Sequence, residues 1–318
     1  MEIATIKALG DRISENISKV IIGKSEVIDL VLTALLAGGH LLLEDVPGTG
    51  KTVLAKSLAR SLGVDFKRVQ FTPDLLPSDL TGINYYNQKL SDFTFRKGPV
   101  FTSVLLADEI NRATPRTQSS LLECMEEKQL TVDGTTYKLA EPYFVIATQN
   151  PIETQGTFPL PEAQLDRFLI KTSIGYPLTE EATAILKRFI SSNPFETLES
   201  VCTHSELVEA MESVKGVFIS NELIDYIITL VEKTRNAEAT AVGVSPRGSL
   251  AMLRAAQAYA AIKGRAFVVP EDIKKLAFFV FGHRIIMRDD YRIGRATGEN
   301  VITDILNEVP VPTEKWDN

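Results

Sequence analysis

The sequence predicts an α/β fold: a parallel sheet covered by helices on both faces, followed by a helical region without strands. Three observations carry this expectation. Four short runs, 40–43, 67–71, 104–107 and 143–147, are candidate buried strands, each with branched or aromatic residues and followed by a polar or Gly/Pro break. Stretches with helical apolar spacing separate them, the alternation that builds crossover units and buried parallel strands. After Tyr176 and Pro177 the strand-like runs stop, and helical patterns follow one another.

In chain order, 26–37 places Val27, Leu30, Val31, Ala34 and Leu35 on one helix face. The run 40–43 leads through a glycine-rich loop into a helical stretch at 53–61. Two hairpins are expected inside the alternation. One spans 82–97 (GINYYNQKLSDFTFRK); the other spans 129–142, with Asp133 and Gly134 suited to a two-residue turn. The first is expected to interrupt a helix of the core. Helical patterns then occupy 180–189, 221–235, 249–263 and 271–281, and in 221–235 Leu223, Ile224, Ile227, Ile228 and Val231 form one stripe. The division is a core at 1–177 and a helical domain at 178–318.

A chain of 318 residues, 44% apolar and 24% charged, buries roughly three quarters of its unfolded surface and needs no staples. Cys124 and Cys202 cannot make a disulfide framework, and three scattered histidines do not suggest a metal site. The net charge of −7 weighs against nucleic acid or anionic membrane as the main partner. The N-terminus mixes acids and bases, and the most apolar run, 30–43, is broken by Thr33, Gly38, Gly39 and His40. It falls short of the ~20 residues a membrane span needs, so no signal peptide or membrane span is expected and the location read is cytoplasmic.

The polar residues of interest fall at strand ends, where parallel sheets bind ligands. The loop DVPGTGKT (45–52) sits between a strand and a helix. Gly48 and Gly50 let the loop from Pro47 to Val53 curl its backbone N–H groups, those of Gly48 onward, around phosphate, with Thr49 between the glycines and the helix N-terminus adding positive potential. Lys51 reaches the β and γ phosphates, and the Thr52 hydroxyl is placed to bind Mg²⁺. Asp45 stands where the usual pattern has glycine. The run 104–107 ends in Asp108 and Glu109; beside a phosphate loop the first orders Mg²⁺ and the second polarises the attacking water. Asn150 ends the next strand, suited either to capping a turn or to sensing γ-phosphate and water.

The segments VPGTGKT, LLADEINRA, IATQNP, EAQLDRF and SPRGSL, in this order, resemble those of AAA+ ATPases and in particular the MoxR family, over residues 20 to about 250. The resemblance implies an αβα P-loop NTPase core with a parallel sheet and an all-helical lid. It also implies ATP and Mg²⁺ as cofactors, ATP hydrolysis, and a homo-oligomeric ring, commonly hexameric. By the same resemblance Arg167 is the arginine finger, with Arg112 and Arg116 as fallbacks, Arg247 is the second sensor, and Ile22 and Gly23 contact adenine. The plainer role for Arg167 is a surface salt bridge with Asp166 or Glu162. Gln70 faces the acidic pair and is a candidate to hold Glu109 in a resting pose.

MoxR proteins are thought to mature or activate partner complexes, including by cofactor insertion, often with von Willebrand factor A domain proteins. A nucleic-acid motor and a non-hydrolysing switch are the alternatives. The first lacks clustered basic residues at the hairpin centres, which offer Lys89 and Lys138 beside Asp92 and Asp133; the second lacks a reason for Glu109, Asn150 and Arg167. Tyr85, Tyr86 and Phe93 suit either a hairpin cluster or a grip on a polymer. The stretch 191–216 exceeds what a compact lid needs, and in the branch that MoxR proteins resemble an extra helix there swings the lid off its own nucleotide.

Overall fold

The computed structural model describes residues 1–152, 156–190, 193–293 and 297–312. Its first elements are α1 (Ile3–Ser18), α2 (Ser25–Leu36), β1 (Leu41–Glu44), α3 (Lys51–Leu62), β2 (Phe66–Gln70), α4 (Pro77–Thr81), β3 (Gly82–Asn87), β4 (Asp92–Lys97) and β5 (Val104–Asp108). Then come α5 (Pro115–Glu127), β6 (Gln129–Val132), β7 (Thr135–Lys138), β8 (Phe144–Gln149), α6 (Glu162–Leu165) and β9 (Ile170–Thr172). The remainder is α7 (Thr179–Phe189), α8 (His204–Val214), α9 (Asn221–Asn236), β10 (Thr240–Val242), α10 (Pro246–Ile262), α11 (Pro270–Phe281), β11 (Ile286–Met287), α12 (Asp289–Ile293) and α13 (Gly298–Glu308).

The sheet is parallel, in the order β2-β5-β8-β1-β9. Side chains alternate between its faces. Leu41, Leu43, Leu106, Phe144 and Ile146 join α1, α2 and α3 in one apolar cluster. Leu42, Leu105, Ala107, Val145 and Ala147 join α5 in another. Burial on both faces is why these strands read as continuous apolar runs. The register sets Glu44 beside Gln149 and Ala107 beside Ala147, so β1, β5 and β8 end together at one edge.

Strand β9 and helices α1, α5 and α13 are among the additions to the elements expected from sequence. Beyond Thr179 the described elements are helical apart from the antiparallel pair β10–β11 and an isolated bridge between Phe218 and Phe267. Within α9 the buried set is Leu223, Tyr226, Ile227, Leu230, Val231 and Thr234, whereas Ile224 and Ile228 stay exposed. The true stripe is therefore rotated from the expected one. The β3–β4 hairpin follows the single turn of α4 and runs on through a loop into β5, so it does not divide a helix. In the β6–β7 hairpin Asp133 and Gly134 have φ of +48° and +80°, the two positive values a type I′ turn requires. Phe95 stacks on Tyr137 at 4.4 Å and joins the two hairpins, while Tyr86 and Phe93 meet edge to face near the tip. In the 191–216 stretch Ser191 and Ser192 lie outside the described residues, and α8 forms the helix there, burying Leu207, Ala210 and Val214. Among the described residues no helix is long and apolar enough to cross a membrane.

His40 closes the amino-terminal edge of the sheet. Its Nδ1 accepts the Val145 N–H at 3.1 Å, so Nε2 carries the proton and donates to the Met125 carbonyl at 3.0 Å. Burial pushes this imidazole down to about 4; the Met125 carbonyl opposes the shift and the Lys128 charge reinforces it. The folded state keeps His40 neutral, and the unfolded chain takes up a proton below pH 6.5. Stability should therefore fall as pH drops from 6.5 towards 4, by about 3 kcal/mol at 1.36 kcal/mol per unit. Denaturant titrations at pH 7 and 4.5 check this against His40→Gln, whose amide can make both hydrogen bonds without titrating. An equal acid loss in both proteins would refute the assignment.

Candidate nucleotide site

At the end of β1 the chain enters the loop 45–50, with Gly48 and Gly50 at φ of +86° and +96°. A Cβ on either glycine would meet nothing within 4 Å, so the loop encloses open space. Its backbone conformation is one that L side chains rarely adopt. Gly50 is the N-cap of α3, which aims a helix N-terminus at that space. Lys51 Nζ donates to the carbonyls of Asp45 and Val46 at 2.9 and 2.8 Å, folding the ammonium over the loop. Asp45 has a structural use of its own. Its carboxylate accepts the N–H groups of Ile174 and Gly175 at 2.7 and 2.9 Å and that of Val46 at 3.1 Å. This ties the loop to the chain leaving β9, a job glycine could not do.

The loop faces a cleft of about 380 Å³ lined by Gly48, Lys51, Thr52, Asp108, Glu109 and Asn150, among others. Asp108 Oδ1 accepts from Thr148 Oγ1 at 2.6 Å, and Oδ2 accepts from Arg68 Nε and Nη2 at 3.0 and 2.6 Å. Glu109 sits at φ +56°, a left-handed position that costs a non-glycine residue energy and marks functional sites. Its N–H donates to Thr148 Oγ1 at 2.8 Å. Gln70 Nε2 and Arg112 Nε both reach Glu109 Oε2 at 2.9 Å, so the acid is held from two sides. Asn150 is buried, and its Oδ1 accepts the Ile152 N–H at 3.1 Å. Its turn-capping and cleft-lining positions coexist.

Ile22 and Gly23 are not brought into this cleft. Gly23 packs against Glu181 at the start of α7, so closely that a Cβ would overlap that carboxylate. Neighbouring Lys24 donates to the Tyr176 carbonyl at 3.0 Å.

Arg167 and Arg247 lie elsewhere. Both pair with Glu126 near the end of α5, Arg167 Nε at 3.3 Å and Arg247 through Nη2. Among the described residues Glu126 is the acid shown beside Arg167. Glu126 follows Met125, whose carbonyl binds His40, and the Leu169 N–H donates to the His40 carbonyl at 2.9 Å. The two arginines thus stand at the amino-terminal edge of the sheet, and the phosphate loop at the other. Arg112 instead faces Glu109 of its own chain, and Arg116 lies in the first turn of α5.

The family model for ATPases associated with various cellular activities (AAA) matches residues 40–170, and that for the AAA lid domain matches 232–305. Chaperone MoxR1 of Mycobacterium tuberculosis is 38% identical, over 93% of this chain and 80% of its own length. Protein MoxR of Paracoccus denitrificans is 33% identical over 92% and 93%. The chain belongs to the MoxR family of AAA+ ATPases. YeaC of Bacillus subtilis, at 48% identity over 95% of this chain, is a further relative. A solved structure from Cytophaga hutchinsonii assigned as an ATPase superposes with a TM-score of 0.91 at 39% identity, covering 97% of this chain and 96% of that one.

This MoxR-family ATPase carries an αβα P-loop core and a helical lid. Sequence reasoning missed Arg68, Thr148, Glu126 and Arg284. Thr148 has a local signal, a hydroxyl at the end of an apolar strand two residues before Asn150. The others act across long separations and carry none.

Proposed function

We propose that this MoxR-family protein hydrolyses ATP with Mg²⁺ at sites shared between adjacent copies in a ring, and uses the cycle to remodel a partner protein complex. The observation that carries the reading is the placement of Arg167 and Arg247. The four residues of β1 separate them from the phosphate loop of their own chain, about 13 Å at 3.3 Å per residue. That is beyond the reach of an arginine side chain, so their phosphate is a neighbour's. A head-to-tail contact of this kind repeats, and closes as a ring when its rotation allows.

The residues fit the cofactors. The glycine loop, the α3 N-terminus and Lys51 present donors to the β and γ phosphates. Thr52 and Asp108 line the same cleft and offer a hydroxyl and a carboxylate, the hard oxygen donors suited to Mg²⁺. Bound there, Mg²⁺ would neutralise phosphate charge. Glu109 accepts the proton of the attacking water, Asn150 orients that water, and Arg167 and Arg247 of the adjacent copy meet the charge spreading over the γ-phosphate. Gln70 and Arg112 hold Glu109 until nucleotide and neighbour are in place.

The remodelling role is supported by the relative named Chaperone MoxR1 and by the exposed aromatic tip of the β3–β4 hairpin, Tyr85, Tyr86 and Phe93. A von Willebrand factor A domain protein is a candidate partner, and the cytoplasm the proposed location. Light scattering on the Glu109→Gln protein, which should bind ATP without consuming it, tests assembly. A closed oligomer is expected with ATP. A monomer at every concentration, alongside full ATPase activity of the unmutated protein, would overturn the shared site.

A further inference from the structure

Arg284 lies in the 3-10 turn that follows α11, remote in sequence from every residue assigned above. It is 6% exposed, and its hydrogen bonds converge on the segment carrying Arg167. Nε donates to Asp166 Oδ1 at 2.6 Å. Nη2 donates to the carbonyls of Asp166 and Phe168 at 3.1 and 2.6 Å. Nη1 reaches the Leu169 carbonyl at 3.3 Å, the His283 ring nitrogen at 2.9 Å and the Val280 carbonyl. The other Asp166 oxygen, Oδ2, accepts from Ser245 Oγ at 2.8 Å. Ser245 is the N-cap of α10, two residues before Arg247.

Asp166 therefore precedes one arginine in the chain and bonds to the cap of the helix that presents the other. Gly248 belongs to the same arrangement. A Cβ there would come within 2.4 Å of Val244 Cγ1 and 3.0 Å of Arg284 Cδ, so the glycine of the 245–250 segment leaves room for the Arg284 stem.

We propose that Arg284 is a positioning residue for the arginine pair: through Asp166 it fixes Arg167 and Arg247 side by side in the one arrangement that serves the nucleotide of the adjacent copy. A buried ion pair contributes little to stability relative to an apolar replacement, and in some proteins it serves to specify one geometry. Here the geometry specified is that of two groups facing out of the subunit. Both sit on the rim as neighbours because the lid side of the clasp (Arg284 and Ser245) and the core side (Asp166) meet on a single carboxylate. The inference rests on the shared-site reading above.

Arg284→Met keeps the length and apolar stem of the side chain and removes its donors. It should bind a fluorescent ATP analogue normally, assemble as the unmutated protein does, and turn over ~10- to 100-fold more slowly, the scale for loss of a supporting residue. Mixing it with Lys51→Ala, which cannot use its own nucleotide but has an intact arginine side, should restore turnover. A purely structural role would not be rescued by a neighbour. Arg167→Ala mixed with Lys51→Ala is the control. If the control recovers and Arg284→Met does not, or if Arg284→Met is fully active alone, the positioning role is wrong. If the control itself stays dead, the shared site is wrong. Should Arg284→Met fail to fold, Asp166→Asn, which keeps the shape but not the charge, gives the same reading: slow alone and rescued in the mixture, with full activity alone refuting the proposal.

Discussion

Arg167→Ala should bind ATP with near-normal affinity and hydrolyse it at least ~1000-fold more slowly, the low end of what an arginine finger supplies. The asymmetry between binding and turnover follows from position. Arg167 lies at the opposite edge of the sheet from the phosphate loop, where it pairs with Glu126, so its loss leaves the cleft of its own chain intact. Arg247 shares that carboxylate and should behave alike. The decisive measurement mixes each variant with Lys51→Ala. Each protein is inactive alone, but mixed assemblies contain interfaces with an intact phosphate loop on one side and intact arginines on the other. Recovered ATPase in both mixtures is the expected result. If Arg167→Ala recovers and Arg247→Ala stays dead, Arg247 serves the nucleotide of its own chain, and the lid must then move far from the position it holds here.

The parts legible in the sequence are those whose determinants are local. The phosphate loop needs two left-handed glycines, a lysine and a following helix within a few residues, and 45–52 contains all of them. Strands β1, β5 and β8 are buried on both faces, so each is an unbroken apolar run. Strand β9 is three residues with Lys171 at its centre, and lies at the sheet edge, where one side of the ladder is unpaired. It has too little apolar content to stand out. In α9, apolar residues cover more than half the circumference, and Tyr226 and Thr234 are buried while Ile224 and Ile228 are not. Packing partners, and not residue type, choose the buried arc.

The same limit governs the site. Arg68 reaches Asp108 across 40 residues, and Arg284 reaches Asp166 across 118. No spacing rule connects such pairs before the fold does. The resemblance led to Arg167 and Arg247, but not to their common partner. Glu126 is one exposed-looking acid on α5, and becomes informative once both guanidinium groups are seen beside it. Gly23, the other residue that the resemblance led to, is set against Glu181 at the start of α7, apart from the residues that line the phosphate cleft.

Glu109→Gln should keep ATP binding and lose at least ~100-fold in turnover, the scale for removal of a general base. The amide is nearly isosteric, and the cradle, Lys51 and Thr52 are untouched, so affinity measured by calorimetry should be unchanged. The carboxylate accepts from Gln70 and Arg112 at one oxygen, Oε2, and its backbone is held in a left-handed conformation by the Thr148 hydroxyl on its N–H. That conformation sets the side chain over the cleft beside Asp108 and Asn150, where a water in line with the γ-phosphate would sit. A glutamine there can orient such a water but cannot take its proton, so the loss falls on kcat and not on binding. Gln70→Ala provides the complementary readout. It frees Glu109 from one donor while leaving the base itself in place, and should leave turnover within about tenfold of the unmutated protein. Near-normal turnover in Glu109→Gln, combined with a collapse in Gln70→Ala, would move the proton-accepting role away from Glu109.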